Sequence, residues 1–119
     1  RLVDAAADPY RAAGRFAWHF ARGKLGGDPA FTGLLERGLI PDGERLLDLG
    51  CGQGLLASWL LAARAQHGAG IWPAGWPPPP RLKQIAGVDS TRSRSPARSS
   101  AISALLTPYS VQMCCRWRS

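Results

Sequence analysis

The residues best suited to chemistry stand in one short run. Three glycines, Gly50, Gly52 and Gly54, alternate with Cys51 and Gln53 directly after Asp48 and Leu49. Glycine carries no Cβ, so such a turn can bend sharply and lie close against a ligand. A helix that opens on the turn presents unpaired N–H groups at its start. A second acid, Asp89, ends the next apolar run. A carboxylate there can accept two hydrogen bonds from the vicinal hydroxyls of a ribose. The chemistry implied is therefore binding of a nucleoside-containing cofactor. Asp89 lies 39 residues after Gly50, against roughly 20 in the usual dinucleotide unit. The loop at 66–80 accounts for the excess.

These residues need elements to hold them. Glu44–Leu49 reads as a strand, Leu55–Ala65 as a helix apolar on most of its surface, and Gln84–Asp89 as a second strand. Strand, glycine-rich turn, helix and strand make one βαβ unit, with parallel strands and a right-handed crossover. Upstream, Asp8-Pro9 can start a helix that runs through Tyr10–Lys24. Gly26-Gly27-Asp28-Pro29 ends it and caps a shorter helix, Ala30–Arg37. Ile40-Pro41-Asp42-Gly43 is a turn.

The glycine spacing separates two cofactor classes. A dinucleotide fingerprint wants its third glycine where this chain has Leu55. The run Leu46-Leu47-Asp48-Leu49-Gly50-Cys51-Gly52-Gln53-Gly54 instead resembles motif I, D/E-x-G-x-G-x-G, of the class I S-adenosylmethionine-dependent methyltransferases. The resemblance extends over about residues 8–89. It implies an α/β fold, a Rossmann-like parallel sheet, with S-adenosyl-L-methionine as cofactor. It further implies that Gly50, Cys51, Gly52, Gln53 and Gly54 pass beneath the methionine part, that Asp48 orients its amino group, and that Asp89 holds the ribose hydroxyls. The Tyr10–Lys24 helix looks like the segment that packs over the cofactor in that superfamily. Residues 1–43 are accordingly expected to cap the cofactor site and 44–89 to form the cofactor-binding unit.

No catalytic residue can be assigned. Methyl transfer depends mainly on aligning a nucleophile with the methyl group, and a general base is needed only when the acceptor must lose a proton. Cys51 is expected to be a packing residue, because no histidine is placed to activate it. His19, between Trp18 and Phe20, is read as half-buried packing, and His67 as a solvated loop residue. Tyr10, Phe16 and Trp18 are read as core. Trp72 and Trp76 sit in a proline-rich insertion, where they could form a substrate lid or a partner-binding patch; an ordinary packed insertion is the preferred reading. Pro77–Pro80 reads as a stiff spacer.

Charge is unevenly spread. The chain of 119 residues has a formal net charge of +7. All 8 acids lie in residues 1–89, whereas 90–119 has five arginines, eight serines and no acid. A basic patch can bind nucleic acid, but here the excess belongs to one segment, so nucleic acid is not the expected partner. No run of apolar residues is long enough to span a membrane. Three cysteines, two of them adjacent, give neither a disulfide framework nor a metal pair. A cytoplasmic protein without a metal site is expected.

The sheet is expected to stop after its second strand. Residues 90–119 show no helical stripe and read as a disordered basic tail or, preferably, as the product of a reading-frame slip near Asp89–Ser90. Gln112–Ser119 can be encoded so that a one-base shift gives Asp-Val-Leu-Pro-Leu-Ala-Leu, a strand-like run. The chain would then be an inactive methyltransferase fragment. Its methyl acceptor and oligomeric state are open. Two other functions compete: a nicotinamide- or flavin-dependent oxidoreductase fragment, and a nucleic-acid-binding module acting through the tail.

Overall fold

A computed structural model describes residues 1–43, 45–49, 54–89 and 110–115, with backbone alone at 49, 87–89 and 110–115. Four α-helices and three strands occur in these residues: α1 (Leu2–Ala7), α2 (Arg15–Gly27), α3 (Pro29–Glu36), β1 (Arg45–Leu49), α4 (Leu55–Gly68), β2 (Gln84–Asp89) and β3 (Ser110–Cys115). A 3₁₀ segment, Asp8–Ala13, joins α1 to α2. The sheet order is β1-β2-β3, and both pairings are parallel. None of the described helices is long and apolar enough to cross a membrane.

Local chemistry explains the breaks. Gly14 has φ 107°, outside the range open to other residues, and separates the 3₁₀ segment from α2. The single helix expected over Tyr10–Lys24 is thus two elements. Asp28 caps α3 as expected: its carboxylate accepts from the Ala30 N–H at 3.0 Å, and Pro29 follows in the first turn. That bond, then Lys24 at 3.3 Å, holds the Asp28 carboxyl below its ordinary value. At the end of α3, Gly38 takes φ 59°. Its N–H donates to the Leu35 carbonyl, and the Leu39 N–H to that of Leu34. The paired bonds of a Schellman turn close α4 in the same way. The Gly70 N–H donates to His67 and the Ile71 N–H to Gln66.

The core lies on one face of the sheet. Leu46 and Ile85 are register partners and face the helices, whereas Leu47 on the opposite face is 57% exposed. The central helix, α4, buries Leu55, Ala57, Ser58, Trp59, Leu60 and Ala63. Ser58 Oγ donates to the Ala6 carbonyl, and Trp59 Nε1 to the Phe31 carbonyl at 2.7 Å. These bonds tie α4 to α1 and α3. Ala6 and Ala7 are fully buried, and their small side chains let α1 approach α4 closely. Alone, six residues could not sustain a helix; the packing of α1 supplies its stability.

Four expectations are corrected. The sheet continues past its second strand, because Ser110–Cys115 pairs with β2 from Gln84↔Ser110 to Asp89↔Cys115. The intervening residues, 90–109, are numerous enough for a parallel crossover. The tail reading otherwise falls outside the described residues. Phe16 is not core: α2 buries Ala17, Ala21 and Leu25 at four-residue spacing, which turns Phe16 outward. His19 is exposed rather than half-buried, with its ring 4.7 Å from Trp18. His67 is in the last turn of α4, half-buried against Trp72, because the helix runs three residues further than expected.

The two strands that flank α4 are aligned at their starts. The Arg81 N–H donates to Asp42 Oδ1 at 2.8 Å, and the Gly43 N–H donates to the Arg81 carbonyl at 2.6 Å. Replacing Asp42 by Ala removes the first of these bonds and should cost about 1 kcal/mol. Urea denaturation of Asp42→Ala checks this, and an unchanged midpoint would count against the clamp.

Candidate functional site

The carboxyl ends of β1 and β2 come together with the start of α4. Leu46 and Asp48 share one face of β1, since side chains alternate along a strand. Asp48 therefore stands on the face that carries α4, at the end of its strand, and is half-buried. Loss of solvent pushes its carboxyl above the ordinary aspartate value. Leu49 pairs with Val88, which places Asp89 one residue beyond that level on the neighbouring strand. Two residues of rise and one strand spacing put the Asp48 and Asp89 Cα atoms about 8 Å apart.

Gly54 forms the joint between turn and helix. It is buried and left-handed, with φ 76° and ψ 30°. A residue with a Cβ would be strained there. With no side chain, Gly54 cannot cap the N–H groups at the start of α4. The positive end of the helix dipole is thereby left facing the same edge of the sheet as Asp48. Crevices at the carboxyl ends of parallel strands are where open α/β sheets bind ligands. Gly50, Cys51, Gly52 and Gln53 lie outside the described residues. The structure therefore places Asp48, Gly54 and the backbone of Asp89 at one edge. Among the described residues no group of three acids, histidines or cysteines could hold a metal ion.

Residues 32–74 match the family model described as Methionine biosynthesis protein MetW. The family is methyltransferase-like, and the match is consistent with the class I type. It begins inside α3, crosses β1, the glycine run and α4, and stops in the loop beyond. No curated protein and no solved structure matches.

The insertion after α4 has no part in this edge. A helix of 14 residues carries the chain about 20 Å away from the glycine turn, to the end where the strands begin. There Trp72 Nε1 donates to the Pro77 carbonyl at 3.0 Å. Trp72 also meets Trp76 and His67 edge-on, at 5.8 Å in each case. Both tryptophans are half-buried against the core. They pack the insertion down, as preferred over the lid.

The burial of Asp48 has a signed consequence. A carboxyl with a raised folded value destabilises the fold once it ionises. The penalty is absent below the unfolded value, grows as pH rises through the folded value, and is constant above it. Asp48→Asn should raise the melting midpoint at pH 7 by about 2 °C, and the gap should narrow toward pH 4. Thermal melts across that range test it. A gap that widens on acidification would refute the burial argument.

Proposed function

We propose that this chain binds S-adenosyl-L-methionine and carries the cofactor-binding start of a class I methyltransferase. The observation that supports this best is the pairing of unlike charges at the strand ends. Half-buried Asp48 and the N-terminus of α4 flank the glycine run, on the same edge of the sheet. An amino-acid moiety carries an ammonium and a carboxylate together. Asp48 suits the ammonium, and the helix N-terminus suits the carboxylate. Asp89, on the adjacent strand, suits the ribose hydroxyls. Gly50, Cys51, Gly52 and Gln53 would form the floor between them. When bound, the cofactor supplies an activated methyl group on a sulfonium sulfur, which a nucleophile accepts.

A nicotinamide or flavin enzyme is the weaker reading. Leu55, at the third-glycine position of a dinucleotide fingerprint, is the first residue of α4 and is buried. The methyltransferase-like family match also spans this turn. The methyl acceptor is a separate matter, because one fold hosts many acceptors.

Calorimetric titration of the 119-residue chain tests the reading. S-adenosyl-L-methionine should bind and NADH should not. Asp89→Ala should weaken binding about tenfold, the loss of one strong contact. Affinity should fall on acidification, as Asp48 takes up a proton and loses its attraction for the ammonium. Binding of NADH alone would overturn the proposal, and an unchanged affinity in Asp89→Ala would overturn the ribose assignment.

A further inference from the structure

We draw no further inference here: the strongest candidate, the exposed apolar patch on α2 that carries Phe16 and Phe20, carries nothing, because Arg22 and Lys24 of the same helix are already paired with Asp4 and Asp28 and nothing among the described residues shows what covers it.

Discussion

Everything at the candidate site depends on how β2 is set beside β1. Parallel strands far apart in sequence have no tight hairpin to fix their register. In this chain a turn and a loop residue supply the alignment. Asp42 and Gly43 hold both polar groups of the Arg81 backbone just before the strands begin. From there the pairing runs Arg45↔Gln84 through Leu49↔Val88. A slip of one residue would turn Ile85 away from the helices and move Asp89 out of step with Asp48. The loop is braced for this task. Its two tryptophans stack edge-on, and Pro77 lies against Gly38, at the end of α3. The Trp- and Pro-rich insertion thus acts at a distance on the site, through register.

The opposite end of the same unit carries an electrostatic tension. Asp48 is half-buried and loses solvent there, which disfavours its charge. The start of α4 is positive by its dipole, although the effect fades beyond the first turn. Neither feature stabilises the fold much. In the proposed reading, together they would receive a group that carries both signs. Sites held at some cost to the free protein are a common signature of function.

Much of this was legible in the sequence. Asp28-Pro29 marked a cap, and the Asp48–Gly54 run marked a strand-to-helix joint, because these residues act through local backbone chemistry. The unread features depend on distant partners. α1 has no cap and only six residues, so it became visible only once Ala6 and Ala7 packed on α4. The end of α4 could have been found: Gly70 sits where a Schellman turn needs a left-handed residue. Phe16 and His19 were misplaced because aromatic residues were assigned inward by type. The buried stripe of α2 is made of Ala17, Ala21 and Leu25, which a reading by residue type alone does not single out. β3 follows a serine-rich stretch and carries one β-branched residue, Val111. Its pairing with β2 defines it.

The two apolar exposures on this chain differ in kind. Leu47 belongs to the face of a parallel sheet that no described helix covers. Such sheets are ordinarily covered on both faces, so an apolar residue at that position follows from the fold class. Phe16 stands on the outer face of a helix whose inner face is already packed against the core. The layering of the described residues supplies no reason for a phenylalanine there. A polar residue would keep α2 soluble and leave the core untouched.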